Sequence, residues 1–147
     1  MGTFQETILI DRPPAAVWNA LADIGNIAEW NPGVEKSYTT TEMDGVGASR
    51  HCDLGGKNYL DEKVVAWQPN EAITFRITDT NMPFETCDIR FKLYPTGNGK
   101  TTVEVSPIYT LKMGVLGTIL DAVFVGRIYK NGMRDLLKGL KQHVEAH

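Results

Sequence analysis

The chain alternates apolar and polar residues with two different periods, and the change of period organises it. Ile73, Phe75 and Ile77 alternate with Thr74, Arg76 and Thr78. Cys87, Ile89, Phe91 and Leu93 alternate with Asp88, Arg90, Lys92 and Tyr94. A period of two marks strands with one buried face. Phe4 to Ile10, rich in β-formers and stopped by Asp11-Arg12-Pro13-Pro14, reads as the first strand. Ala15 to Ala22 has Val17, Trp18 and Leu21 at helical spacing, opened by the prolines with Asp11 as a nearby cap. A second short helix is expected over Ile27 to Trp30, ending at Asn31-Pro32-Gly33. Strands then follow at Val34–Met43, Ala48–Leu54, Lys57–Trp67, the two alternating segments, and Thr101–Leu111. Gly55-Gly56 and Pro95 to Gly99 read as hairpin turns, Asp79 to Pro83 as a loop, and Pro107 as the mark of an edge or bulge.

From Gly114 to about Val144 the period becomes helical, with Tyr129, Met133, Leu136, Leu137, Leu140 and Val144 sharing a face. The order is strand, two short helices, six strands, one long helix. Strands joined by short turns form an antiparallel meander. One helix cannot cover seven strands if the sheet stays flat, so the sheet must curl around it. The expected class is α+β, a curved seven-stranded antiparallel sheet with a long C-terminal helix across its concave face. A sheet curled in this way tends to enclose a cavity.

Bulk properties narrow the function. A length of 147 residues fits one domain over 1–147. The net charge of −3 gives no support for nucleic acid as a partner. Two cysteines are too few for a disulfide framework and suit a reducing compartment, so a cytoplasmic location is expected. No signal peptide is read at the N-terminus, and Glu6 stands where a myristoylation motif wants Ser or Thr. The apolar run Met113 to Val125 is too short to span a bilayer and contains Asp121, so stable membrane insertion is not expected.

The opening segment, Ile10-Asp11-Arg12-Pro13-Pro14-Ala15-Ala16-Val17-Trp18 followed by Leu21, Asp23, Trp30-Asn31-Pro32 and Val34, resembles the START-like, or SRPBCC, superfamily of helix-grip proteins. The branch it is most similar to is the polyketide cyclase/dehydrase and lipid-transport type. The likeness continues through Gly47 to Arg50, Glu62 to Val64, and Leu136 to Lys141. It implies a helix-grip fold with a deep apolar cavity between sheet and long helix. It does not choose a ligand, because this fold hosts carriers, receptors, allergens and enzymes.

Arg50 and Glu62 carry the candidate chemistry. The hairpin at Gly55-Gly56 sets them across from one another, each on a face with apolar neighbours: Cys52 and Leu54 for Arg50, Leu60, Val64 and Ala66 for Glu62. Inward charges need each other or a polar ligand atom. The resemblance implies that such a pair lines the pocket, and in some enzymes of the superfamily does acid–base work. Arg50 would then polarise a carbonyl or enolate oxygen and Glu62 would accept or donate a proton. A structural salt bridge at the rim is the alternative. The ligand-lining set expected with them is Cys52, Leu54, Val64, Phe75, Ile89, Phe91, Tyr109, Leu116, Ile119, Leu120 and Val123. Tyr109 could equally be a core tyrosine.

Tyr59, Asp61, Lys63 and His51 alternate outward, and no His–Asp arrangement suggests a nucleophile. Cys52 and Cys87 read as small core residues. His143 and His147 have helical spacing at a fraying terminus, so no metal site and no cofactor are expected. The basic stripe of the last helix, Arg127 to Lys141, reads as a solvated face. Val115 to Val125 has more apolar surface than one sheet needs; cavity lining, a lid or a homodimer contact would each use it. The expected partner is an apolar or amphipathic small molecule, held by a carrier or sensor. A cyclase or dehydratase using Arg50 and Glu62 is the second reading, and a partner-docking protein the third.

Overall fold

The computed structural model describes residues 1–112 and 119–147, with the side chains of 119–122 left out. Leu116 lies outside the described residues, as do the side chains of Ile119 and Leu120 and the expected helix start at Gly114.

Eight strands form one antiparallel sheet: β1 (Gly2–Thr3), β2 (Glu6–Ile10), β3 (Lys36–Thr39), β4 (Ser49–Asp53), β5 (Tyr59–Gln68), β6 (Ala72–Thr80), β7 (Phe84–Gly97) and β8 (Lys100–Leu111). The order across the sheet is β1/β2-β8-β7-β6-β5-β4-β3. β1 and β2 both pair with β8 in a single register, Thr3 opposite Ile108 and Glu6 opposite Val105. They are one edge strand, interrupted opposite Ser106 and Pro107. Pro107 has no N–H to give to a ladder. It is fully buried inside β8, neither at an edge nor at a bulge as its type suggested. The helix-grip class expected from the sequence is therefore present, with its first strand in two pieces.

Between β2 and β3 lie the helix α1 (Pro14–Ala22) and a 3-10 segment (Ile24–Glu29). Pro14 opens α1 as expected, but Asp11 does not cap it, for no side chain does. The Asp11 amide donates instead to Glu145 Oε2 at 2.8 Å, tying this corner to the end of the long helix. α1 buries Val17, Trp18 and Leu21, with Trp18 edge-on to Trp67 of β5 at 5.1 Å.

Several boundaries differ from expectation. β3 is only four residues long. β6 runs to Thr80 and β7 starts at Phe84, so their loop is Asn81 to Pro83. β7 reaches Gly97, and the turn is Asn98-Gly99 with φ of 59° and 72°. Both signs suit a two-residue hairpin turn whose twist matches the strands.

β5 and β6 lose register between Asp61 and Glu62 and again between Val64 and Ala66. Irregularities of this kind bend a strand and raise its twist. Here they curl the sheet toward the long helix α2 (Ile119–Ala146). α2 buries Met133, Leu136, Leu137, Leu140 and Val144 against it, at spacings of three and four residues. Gly139 lets the helix approach the Trp30 loop; a Cβ there would come within 1.9 Å of the Trp30 carbonyl oxygen. No described helix is long and apolar enough to cross a membrane.

Candidate functional site

Between α2 and the concave sheet lies a cavity of about 170 Å3. β4 and β5 supply Arg50, Cys52, Leu54, Leu60 and Glu62, and β7 supplies Phe84, Ile89 and Phe91. The loop after the 3-10 segment supplies Asn31, Gly33 and Val34, and α2 supplies Tyr129, Gly132, Met133 and Leu136. The wall is mostly apolar, as small-molecule sites are.

Arg50 and Glu62 are direct cross-strand partners in the β4–β5 register. Their side chains are 3% and 5% exposed. Arg50 Nε donates to Glu62 Oε1 at 3.0 Å and Nη2 reaches the same oxygen at 2.9 Å. Nη1 donates to the Ile24 carbonyl at 3.0 Å, which fastens the 3-10 segment over the sheet. The guanidinium lies 4.0 Å from the centre of the Phe75 ring. That cation–π contact adds about 2 kcal/mol in a desolvated setting. Three of the five Arg50 N–H donors are thus occupied. Among the described residues nothing donates to Glu62 Oε2.

Of the other lining candidates, Cys52, Leu54, Ile89 and Phe91 border the cavity. Val64 and Phe75 are buried but are not in its wall. Phe75 stands behind Arg50 as the ring beneath its guanidinium. Tyr109 also stays out of the wall, packed edge-on to Phe84 and Tyr129 at 5.5 and 5.2 Å. Val123 is 53% exposed and outside the cavity. It precedes Tyr129 by six residues, about 120° around the helix from the face that meets the sheet.

Of the helix face expected from the sequence, Tyr129, Met133 and Leu136 border the cavity, while the candidate Leu116 and the side chains of Ile119 and Leu120 lie outside what is described. The signal was the match between that face and the sheet. Tyr129 also holds Cys87, its hydroxyl 3.1 Å from Sγ. Burial pushes the Tyr129 pKa well up, and pushes the Cys52 and Cys87 thiols to about 12. Neither thiol is a nucleophile at neutral pH.

On the opposite face of the same strands a second cluster stands directly behind Arg50 and Glu62. His51 faces Asp61 across the register, and its side chain is 22% exposed. Its Nε2 meets Asp53 at 2.9 Å and its Nδ1 meets Asp61. Tyr38 and Tyr59 flank the ring at 5.2 and 5.9 Å. The outward direction of His51 was expected; the two aspartates around it were not. Cys52 points to the other face of β4, away from this cluster. Among the described residues no group of His, Cys, Asp and Glu has the geometry of a metal site.

Known proteins of the same shape place this arrangement. The structure superposes on an aromatase/cyclase, Zhui, from a Streptomyces species with a TM-score of 0.86 at 15% identity, covering 98% of this chain and 93% of that one. A START superfamily protein from Mycobacterium smegmatis gives a TM-score of 0.82 at 17% identity, covering 98% and 97%. At these identities the likeness is one of fold. An uncharacterized protein of Mycobacterium tuberculosis is 24% identical over 97% of this chain and 84% of its own length. Residues 1–145 match the polyketide cyclase / dehydrase and lipid transport family, and the chain belongs to that family.

Proposed function

We propose that the protein binds an apolar or amphipathic small molecule in the cavity between sheet and α2, with Arg50 and Glu62 as its polar anchor. The observation that carries this reading is an ion pair 95% or more buried in the wall of an otherwise apolar cavity. Desolvating each ion costs several kcal/mol, and apolar replacements of such pairs are often neutral or stabilising. Stability alone is therefore a poor reason for the pair. A ligand carbonyl or hydroxyl accepting from the remaining Arg50 N–H groups, or a ligand hydroxyl donating to Glu62 Oε2, supplies a better one. Family membership supports the same reading.

Native mass spectrometry of freshly purified protein tests it. A co-purifying apolar mass, lost in Arg50→Ala, is the expected result. A wild-type chain that neither carries nor takes up any apolar compound would reject it.

Glu62 Oε2, to which no described residue donates, favours one second reading, cyclase- or dehydratase-type proton transfer with Arg50 polarising the substrate oxygen. Turnover of a bound carbonyl compound that survives Glu62→Gln would eliminate this reading and leave binding intact.

A further inference from the structure

Three glycines interrupt the described part of α2, although glycine weakens a helix relative to alanine. Two have packing reasons. A Cβ at Gly139 would strike the Trp30 carbonyl at 1.9 Å, and one at Gly126 would lie 3.1 Å from the Tyr109 hydroxyl. Gly132 has none, because a Cβ there would meet nothing within 4 Å. Yet Gly132 lines the cavity and is also exposed to solvent, so it stands where the cavity opens. Gly33 shares both properties, and its Cβ would meet only Asn31 Oδ1, at 3.3 Å.

A larger space adjoins the cavity. A groove of about 650 Å3 runs between the 28–34 segment and the following turns of α2. It shares Asn31 and Val34 with the cavity. The cavity itself, at about 170 Å3, is close to the size that encloses a single benzene ring. A larger ligand has to extend beyond it. The groove carries both signs of charge, from Glu29, Asp135 and Lys138, together with the amide of Gln142. Its wall includes Trp30, whose indole Nε1–H is the single buried side-chain group without a partner among the described residues. Glu29, Asp135 and Gln142 can accept hydrogen bonds there and Lys138 and Gln142 can donate them, so an uncharged hydroxyl or amide is served whichever way it points.

We propose that Gly33 and Gly132 frame the aperture of the cavity, and that the ligand is an elongated amphipathic molecule. Its apolar end fills the cavity and its uncharged, hydrogen-bonding end lies in the groove between the 28–34 segment and α2. This rests on the reading of the cavity as a ligand site. Gly132 is then the residue that sets which lengths are admitted.

The test uses toluene and the n-alkanols from butanol to decanol, titrated calorimetrically into the full chain. Toluene fits inside the cavity and needs no aperture once bound. Alkanol affinity is expected to rise about fourfold per methylene through decanol. In Gly132→Leu, decanol should weaken at least tenfold more than toluene does, with Gly132→Ala between wild type and the leucine variant. The leucine has open space and a better helix propensity, so this variant should melt no lower than wild type. Decanol should also bind more tightly than decanoate and decyltrimethylammonium. Undiminished decanol binding in Gly132→Leu, or either ion outbinding decanol, would overturn the proposal while toluene still supports the cavity. Failure of toluene and every alkanol on wild type would overturn the cavity reading and this one with it.

Discussion

Two ion pairs cross-link β4 and β5 one residue apart, and they differ in almost everything but sequence. Arg50 and Glu62 face inward, His51 and Asp61 face outward, and each pair sits directly opposite in one register. The inner pair is 3% and 5% exposed; the outer is 22% and 36% exposed. The inner one is fixed from several sides, by each other, by the Ile24 carbonyl and by the Phe75 ring. The outer one is an imidazole between two carboxylates in reach of water. The same strand alternation that makes one pair a cavity wall makes its neighbour a surface feature. Burial, more than charge, decides what each contributes.

The largest expected effect comes from breaking the inner pair on one side. Glu62→Ala leaves a buried guanidinium without its counter-charge, and should cost about 3–5 kcal/mol of unfolding free energy. Urea denaturation at neutral pH measures it; a loss below about 1 kcal/mol would show that water reaches Arg50 freely. Replacing both partners, as in Arg50→Met with Glu62→Leu, should recover most of that loss. The double variant is then the sharper test of function, because it should stay folded and lose the polar anchor. If it is as unstable as the single variant, the pair is structural after all and the proposed anchor is weakened.

Outer-face substitutions should do much less. Asp61→Asn removes an exposed partner and should cost only about 0.2–1 kcal/mol. It should leave ligand binding unchanged if the two faces are independent. A loss of affinity in Asp61→Asn comparable to that in Arg50→Ala would break the comparison.

The contrast also shows what could be read from residue order. Periodicity of two exposes a strand and its buried face, so the sheet, the hairpin and the inward Arg50–Glu62 pair were legible. The same register sets His51 opposite Asp61, and Asp53 lies two residues on, so the outer cluster could have been read by carrying the alternation to the other face. Other features were not legible for physical reasons. Whether Val64 and Phe75 touch a cavity or stand behind it depends on sheet curvature, which comes from bulges that periodicity does not show. Which half of α2 covers the cavity depends on where the helix crosses the sheet. Hydrophobicity points to the start of the helix; among the described residues of α2, Tyr129, Gly132, Met133 and Leu136 line the cavity. The Pro107 position needed the break between β1 and β2 to be known first.

The smallest effect is the most specific to the outer face, and it is a pH dependence. Hydrogen bonds that His51 donates to Asp53 first, then to Asp61, raise its pKa above the ordinary value. With both ring nitrogens against carboxylates, the imidazolium is the form that satisfies them. A raised folded-state pKa means the folded chain holds the proton more tightly than the unfolded one. The stabilisation is then fully present below the unfolded value of about 6.5 and fades as pH rises through the folded value. The difference in stability between wild type and His51→Gln should therefore be greatest near pH 5.5 to 6 and shrink on the alkaline side. Added salt should shrink it further, since the cluster is exposed. Denaturation curves for both proteins between pH 5.5 and 9 read the effect directly. A difference that grows with pH would mean that the folded chain holds His51 neutral.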